Sequence, residues 1–268
     1  MLSFTKMNGA GNDFVLLDNR SGSLRLNSDE IAFLCDRHRG IGGDGVLLLE
    51  KATNGADFRM RYYNSDGGEA EMCGNGARCF ARFADKVAGP FSDLSFETPA
   101  GIIRAKLDRN QVTVNLSPPH SLGLNRKLQV QGKELIVHTL NTGVPHVVVI
   151  VDDLAATPVF EIGKTVRYHE EFRPKGTNVN FVKPIDRDKI AIRTYERGVE
   201  AETLACGTGV TAAALVYSRL KSIESPIRVR VRGGDWLEVG FVRAGEDFRD
   251  VSLKGPADFA FEGAIELP

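Results

Sequence analysis

Met72-Cys73-Gly74-Asn75-Gly76-Ala77-Arg78 recurs in modified form about half the 268-residue chain later, as Ala205-Cys206-Gly207-Thr208-Gly209-Val210-Thr211. Both copies read Cys-Gly-x-Gly and run into a segment whose composition favours a helix. A tyrosine and a glutamate-rich segment precede each copy, and we interpret these segments, Glu69-Ala70-Glu71 and Glu200-Ala201-Glu202, as turns. A repeat of this kind predicts two similar domains with a site between them.

The remaining sequence predicts several short strands in each half, around one helix that begins at the cysteine motif. The first of these helices is expected to end near Gly89-Pro90, and the second to cover residues 210–220. A further helix is predicted over residues 31–37, after a plausible N-cap region at residues 27–30. Pro118-Pro119 interrupts the strand pattern and marks the predicted boundary, which places residues 1–117 in the first domain and residues 118–257 in the second. The predicted fold class is therefore α+β, with mixed strands and helices in each half.

Composition argues against several classes of function. The formal net charge is −1, so no general attraction to nucleic acid or to anionic membranes is expected. The longest aliphatic run, residues 147–151, is far too short to span a bilayer, and the first six residues do not resemble a signal peptide. We therefore expect a cytoplasmic protein whose four cysteines are free thiols, and the cysteine spacing does not predict a metal site.

Both repeated cysteines are predicted to lie at the N-terminus of a helix. There, unpaired backbone N–H groups and the helix dipole stabilise a thiolate and bind anions such as carboxylates. Gly74 and Gly207 allow a ligand to approach the backbone closely. Two such helix ends would hold one carboxylate and place a sulfur on each face of the neighbouring α-carbon.

That arrangement suits a racemase or epimerase that uses two bases. One cysteine removes the α-proton as a thiolate, and the other delivers a proton to the opposite face as a thiol. Donors around the carboxylate stabilise the carbanion, so the scheme requires no cofactor. A single motif is equally explained by a buried structural cysteine, the interpretation that we give to Cys35 and Cys79, but two matching copies favour Cys73 and Cys206 as a catalytic pair.

The sequence resembles bacterial diaminopimelate epimerase along nearly its whole length. The two cysteine motifs carry the resemblance, together with Lys6-Met7-Asn8-Gly9-Ala10-Gly11-Asn12-Asp13-Phe14, Tyr63-Asn64-Ser65-Asp66-Gly67 and Tyr195-Glu196-Arg197-Gly198. The resemblance implies an isomerase that interconverts L,L- and meso-2,6-diaminoheptanedioate without a cofactor, in lysine biosynthesis. It also implies two pseudo-symmetric domains, each a curled mixed sheet or barrel around a central helix, with residues 258–268 returning to the first domain and the active site in the cleft. A homodimer is expected.

By motif position, the resemblance assigns the acid/base pair to Cys73 and Cys206. The residues that it implies for the reacting carboxylate are Gly74, Asn75, Gly207 and Thr208. Those implied for the rest of the substrate are Asn12, Asn64, Asn178, Glu196 and Arg197. Arg197 suits a distal carboxylate because a guanidinium can pair with it through two hydrogen bonds.

Plainer roles remain open for several of these residues. Arg197 could form a surface ion pair, and Asn12 and Asn64 could shape turns. Glu196 and His146 resemble family positions that tune the thiol pKa values: a carboxylate would raise the pKa of a neighbouring thiol and a protonated histidine would lower it. His146 is equally explained as a hydrogen-bonded turn residue.

Two positions depart from the family pattern. Many members have Asn where this chain has Val144, and Gln where it has Gly45. Both departures affect the expected contacts with the distal half of the substrate.

Two other interpretations remain open. The nearer is a related two-cysteine racemase, such as a proline-racemase-like enzyme, against which Arg197 argues because an imino acid with one carboxylate has less use for a second anion site. A thiol redox protein belongs to a different class, since two cysteines flanking a site can also oxidise.

Overall fold

The structure is a computed structural model of the chain that describes residues 1–70 and 72–268. Glu71, part of the first predicted glutamate-rich turn, lies outside the described residues. The chain divides into two compact units. The first unit consists of Met1–Asn115 and Gly255–Pro268, and the second of Leu116–Lys254.

The described residues of the first unit form nine strands. They are β1 (Leu2–Gly9), β2 (Asn12–Asp18), β3 (Gly45–Lys51), β4 (Phe58–Asn64), β5 (Glu69–Ala70), β6 (Asp93–Thr98), β7 (Gly101–Asp108), β8 (Gln111–Asn115) and β18 (Asp258–Ile265). Hydrogen bonding orders them β18-β1-β2-β3-β4-β6-β7-β8, with β5 added to β4 as a hairpin. The pairs β2–β3 and β4–β6 are parallel, and the others are antiparallel.

The second unit repeats this plan strand for strand. Its strands are β9 (His120–Val130), β10 (Lys133–Asn141), β11 (Pro145–Ile150), β12 (Asn178–Asp186), β13 (Lys189–Glu196), β14 (Ala201–Thr203), β15 (Ile227–Arg230), β16 (Trp236–Ala244) and β17 (Asp247–Pro256). Their order is β9-β10-β11-β12-β13-β15-β16-β17, with β14 added to β13. The parallel pairs β11–β12 and β13–β15 occupy the positions of β2–β3 and β4–β6. The predicted internal repeat is confirmed at the level of strand pairing.

Among the described residues each unit contains two α-helices: α1 (Ser28–Cys35) and α2 (Gly74–Ala88) in the first, and α3 (Val159–Arg167) and α4 (Gly207–Lys221) in the second. A short 3-10 helix, Glu170–Phe172, follows α3. The two helices that follow the cysteine motifs are confirmed. Most residues of α2 and α4 are buried, as expected for a helix that packs against a curved sheet. α2 ends before Gly89-Pro90, where proline cannot continue the hydrogen-bond pattern.

Three features differ from the prediction. The second unit has a second helix, α3, that was not expected, whereas α1 in the first unit was predicted over residues 31–37 and lies at Ser28–Cys35. The predicted glutamate-rich turns include short strands, β5 and β14, which place a hydrogen-bonded edge just before each cysteine. The described strands form open sheets, not barrels.

No helix among the described residues is long and apolar enough to cross a membrane.

Candidate active site

Cys73 and Cys206 occupy the same local structure in the two units. Each is the N-cap residue of its helix, with φ and ψ of −134° and 122° for Cys73 and −130° and 109° for Cys206. The carbonyl of each cysteine accepts the first helical hydrogen bond, from Ala77 at 2.7 Å and from Val210 at 2.9 Å. The N–H groups in the first turn of each helix are therefore not used by the helix itself, and this is the geometry that binding of an anion requires.

The half-site of the first unit brings Cys73, Gly74, Asn75 and Asn12 together. Cys73 is half-buried, and Asn75 in the first turn of α2 is fully buried. The Asn75 Nδ2 donates to Asn12 Oδ1 at 2.5 Å, so the loop before β2 is tied to the start of α2. Gly9 permits this approach, because a Cβ there would lie 2.8 Å from the Asn75 carbonyl oxygen.

Asn64 lies at the end of β4, where its backbone closes a turn. Its N–H donates to Gly68 at 2.9 Å and its carbonyl accepts from Gly67 at 3.0 Å. The turn role of Asn64 is thus present, and its side chain is exposed. Exposure leaves the side chain accessible to a ligand.

The half-site of the second unit is built on the first turn of α4. Cys206 is buried, and its Sγ lies 3.5 Å from the hydroxyl of Thr208. The Thr142 hydroxyl donates to the Thr208 carbonyl at 3.0 Å, which fixes this turn to the loop before β11. Thr142 is not among the residues that the sequence assigned to the site.

Asn178 holds the loop that carries Arg197. Its Oδ1 accepts from the backbone N–H of Arg197 at 2.8 Å, and its Nδ2 donates to the Pro145 carbonyl at 3.3 Å. The Arg197 guanidinium donates to the Lys175 carbonyl at 3.4 Å. Asn178 therefore positions the backbone of Arg197, in addition to any contact that it makes with a ligand.

Glu196 lies beside Arg197, and its Oε2 accepts a hydrogen bond from the Thr203 hydroxyl at 2.8 Å. This bond runs from the end of β13 to β14, the short strand that leads into the Cys206 motif. Glu196 is half-buried. The Glu196 carboxylate is thus held beside the strand that leads into the Cys206 motif. Its proposed effect on the pKa of a thiol stays a prediction.

His146 is fully buried next to Asn180, whose Nδ2 lies 3.1 Å from His146 Nδ1. Burial, together with the charge of Arg197, lowers the pKa of His146 to about 3. The imidazole is therefore neutral near pH 7. The charge effect envisaged from the sequence, in which a protonated histidine lowers a thiol pKa, does not operate at neutral pH, although a neutral imidazole can still act through hydrogen bonds.

Besides Thr142, sequence reasoning missed two side chains that support the half-sites. Asn180 is fully buried below α4, and Asp44 lies at the end of a glycine-rich loop and accepts from Asn12. Asn180 does show a pattern in the sequence, since Asn178 and Asn180 alternate in an otherwise apolar strand and thus lie on one face. Asp44 shows no comparable pattern, because its partners come from distant parts of the chain.

A family model described as diaminopimelate epimerase matches residues 4–122 and 138–258, which include both half-sites. The chain belongs to the diaminopimelate epimerase family. The diaminopimelate epimerase of Aquifex aeolicus (strain VF5) is 44% identical over 277 residues, covering 98% of each chain. That of Chlorobaculum tepidum is 40% identical, covering 97% of this chain and all of its relative.

Solved structures share the fold at low sequence identity. A phenazine biosynthesis protein of the PhzF family from Bacillus anthracis superposes with a TM-score of 0.76 at 16% identity, covering 98% of this chain and 99% of that protein. A probable proline racemase from Agrobacterium radiobacter K84 gives a TM-score of 0.74 at 17% identity, covering 100% and 94%. The predicted α+β fold of two similar halves is confirmed, and these two structures speak to the fold alone.

The family departure at Gly45 has a structural explanation in this diaminopimelate epimerase family member. A Cβ on Gly45 would lie 2.4 Å from the Tyr63 carbonyl oxygen and 2.6 Å from the Tyr62 ring. Tyr62 therefore occupies the space that a longer side chain at position 45 would enter. At the second departure, Val144 is half-buried and accepts a backbone hydrogen bond from Thr142 at 3.2 Å.

Proposed function

We propose that the protein epimerises L,L-2,6-diaminoheptanedioate to the meso form, as an isomerase of lysine biosynthesis. Membership of the diaminopimelate epimerase family supports this assignment. The observation that carries it is the occurrence of Cys73 and Cys206 at identical N-cap positions of two helices in two units with the same strand pairing. A reaction that inverts one carbon needs the same chemical group on both of its faces.

In the proposed mechanism one sulfur, as a thiolate, takes the α-proton and becomes a thiol. The electron pair of the broken C–H bond remains on the α-carbon and is delocalised into the carboxylate, where N–H groups of the helix N-termini stabilise the charge. The other sulfur, a thiol, gives its proton to the opposite face and becomes the thiolate. No electrons are gained or lost, and the reverse reaction exchanges the two roles.

The other proposed contacts follow from the half-sites. We assign the reacting carboxylate to the first turns of α2 and α4, through Gly74 and Asn75 and through Gly207 and Thr208. Asn12, Asn64, Asn178, Glu196 and Arg197 hold the rest of the substrate, with the Arg197 guanidinium on the distal carboxylate. His146 acts by supporting the second half-site as a neutral group.

Incubation with L,L-diaminopimelate in D₂O tests this function directly. We expect formation of the meso product and incorporation of α-deuterium by the reduced protein without added cofactor. Cys73→Ala and Cys206→Ala should each abolish epimerisation, and full activity of either variant would eliminate the two-base scheme. Racemisation of free proline without turnover of diaminopimelate would favour the proline-racemase-like alternative.

We also propose that the protein is a cytoplasmic homodimer. Two catalytic thiols need a reducing compartment to remain reduced, which supports the location. Among the described strand pairings, β18 pairs on one side only, with β1, and it exposes Phe259 and Phe261. A strand of this kind can pair with another copy, which supports the dimer. Light scattering coupled to size-exclusion chromatography would distinguish a 29.3 kDa monomer from a dimer of twice that mass.

A further inference from the structure

Asp44 is held in a fixed position by its backbone. It follows a loop in which successive N–H groups bind the end of α1: Gly40 donates to Asp36, Ile41 and Gly42 donate to Leu34, and Gly43 donates to Cys35, at 3.0–3.1 Å. The N–H of Asp44 itself donates to the Asp13 carbonyl at 2.7 Å. A loop bound in this way presents its last side chain in one place.

The Asp44 carboxylate lies within a group of charges. Its Oδ1 accepts from Arg37 Nη2 at 3.0 Å. The same guanidinium binds Asp13 through two hydrogen bonds of 2.7 and 2.8 Å, and Lys6 lies 2.8 Å from Asp13. Burial would raise the pKa of Asp13, but hydrogen bonds from Arg37 and Lys6 outweigh it and lower the pKa to about 2. The group keeps Arg37 in place beside Asp44.

An ionised carboxylate accepts hydrogen bonds and donates none, so it determines the orientation of any amide bound to it. Asp44 Oδ2 accepts from Asn12 Nδ2 at 2.9 Å. The amide oxygen of Asn12 must then face away from Asp44, and it accepts from Asn75 Nδ2 at 2.5 Å. The orientation of Asn12 thereby determines the orientation of Asn75.

The series of hydrogen bonds ends on a buried acceptor. Asn75 Oδ1 is buried and has no hydrogen-bond partner among the described residues. Leaving a buried oxygen unpaired is unfavourable, and without Asp44 no fixed acceptor would hold the two amides in this orientation. Asn75 lies two residues after Cys73, in the first turn of α2. The orientation imposed by Asp44 thus keeps an acceptor in the half-site at the expense of stability; this side-chain oxygen suits a donor such as the substrate α-ammonium group, whereas the carboxylate is left to the backbone N–H groups of the helix.

We propose that Asp44 is a positioning residue for the epimerase site: it orients the amides of Asn12 and Asn75 for substrate, without touching the substrate itself. The proposal rests on the proposed function, since it assigns Asp44 a role in that reaction. Its structural basis is the hydrogen-bond series from Asp44 through Asn12 to Asn75. A plainer role, in which Asp44 merely anchors its loop through Arg37, makes different predictions.

Asp44→Asn tests the proposal because the amide has nearly the same shape but can donate as well as accept. We expect KM for diaminopimelate to rise about tenfold with kcat within about twofold, since an oriented contact of about 1.4 kcal/mol acts on bound substrate and transition state alike. Loss of folded protein would instead lower kcat at unchanged KM. That result, or an unchanged KM, would overturn the proposal.

Two control variants separate orientation from anchoring. Asp18→Asn breaks a comparable pair, between Asp18 at the end of β2 and Arg20; the Asp18 and Asp44 carboxylates are similarly exposed, at 36% and 38%, and no described hydrogen bond connects Asp18 to Asn12. Its KM should not change. Arg37→Met loosens the loop but leaves the Asp44 acceptor in place, so KM should rise less than threefold. An Arg37→Met effect equal to that of Asp44→Asn would support anchoring and overturn the proposal.

A measurement without substrate distinguishes failure of this proposal from failure of the proposed function. The side-chain ¹⁵N amide resonances of Asn12 and Asn75 should shift in Asp44→Asn and remain unchanged in Asp18→Asn. If the wild-type protein does not turn over diaminopimelate, the proposed function fails, and these resonances still decide whether Asp44 orients the amides. Unchanged resonances in Asp44→Asn would overturn the proposal whatever the activity.

Discussion

Gly209 lies so close to Asn180 that a Cβ on the glycine would be 2.3 Å from the Asn180 Oδ1. Asn180 cannot move away freely, because it is fully buried and its amide binds Thr194, the Val147 carbonyl and His146 at 2.9–3.1 Å. The last glycine of the second Cys-Gly-x-Gly motif is thus required by packing below α4. In the first motif, a Cβ on Gly76 would meet its neighbours, Cys73 and the Phe14 ring, at an ordinary 3.5 Å.

Gly209→Ala should therefore destabilise the protein. The new methyl group must displace Asn180 and break at least two of its buried hydrogen bonds, at a cost of about 2 kcal/mol after the gain in helix propensity is subtracted. Gly76→Ala is the matched control, and we expect it to be neutral or slightly stabilising. Urea denaturation of both variants measures the difference, and equal free energies of unfolding would contradict it.

His146 should make the stability of the protein depend on pH. Its pKa is lowered from 6.5 to about 3 in the folded state, so between these values the unfolded chain binds one more proton than the folded chain. This term lowers the free energy of unfolding by about 1.4 kcal/mol for each pH unit below 6.5. His146→Gln removes the term.

The free energy of unfolding of the wild type minus that of His146→Gln should accordingly decrease as the pH falls from 7 to 5. Urea denaturation at several pH values measures this difference. His138 also has a lowered pKa because it is buried, but it is present in both proteins and cancels. A difference that stays constant with pH would show that His146 is not kept neutral by the fold.

The four thiols should react at very different rates. Burial raises the pKa of Cys35 and of Cys79 to about 12, so the thiolate fraction of each at pH 8 is on the order of 10⁻⁴. Cys73 is half-buried at a helix N-terminus, and Cys206 is buried. We expect iodoacetamide to label Cys73 first, and Cys35 and Cys79 only after unfolding.

A time course of peptide mass spectrometry checks this order. Cys73→Ala should remove the fastest phase without changing the labelling of Cys35 and Cys79. Labelling of Cys35 or Cys79 at the rate of Cys73 would contradict the order and would indicate that the core opens readily.

The sequence predicted those structural features that are determined by residues close to one another in the chain. The N-caps at Cys73 and Cys206 follow from a local motif, a helix-favouring segment and the glycines beside it. α3 was missed because its N-cap is Pro158, which forms no side-chain cap, so the usual sign of a helix start is absent. Asp44 was missed for a different reason: its proposed function depends on Asn12, which the fold brings to it from β2, 32 residues earlier in the chain.

Among the described residues of the first unit, the most deeply buried charged side chain lies on the helix that follows Cys73. Arg78 is fully buried and donates to the carbonyls of Gly9 at the end of β1, Gly74 at the start of α2 and Pro256 at the end of β17, at 3.3–3.4 Å. One guanidinium thus joins three segments that are far apart in the sequence.

Arg78→Met keeps most of the volume and removes every donor, so we expect a loss of about 3 kcal/mol in the free energy of unfolding, roughly 1 kcal/mol for each hydrogen bond. Arg82→Met, one turn later, removes a partly exposed guanidinium that donates to the Ala257 carbonyl and lies 4.7 Å over the Phe259 ring, and it should cost about 1 kcal/mol. Urea denaturation with unchanged m-values compares the two variants. If Arg78→Met costs no more than Arg82→Met, relief from burying the charge offsets its hydrogen bonds, and Arg78 does not stabilise the Cys73 half-site.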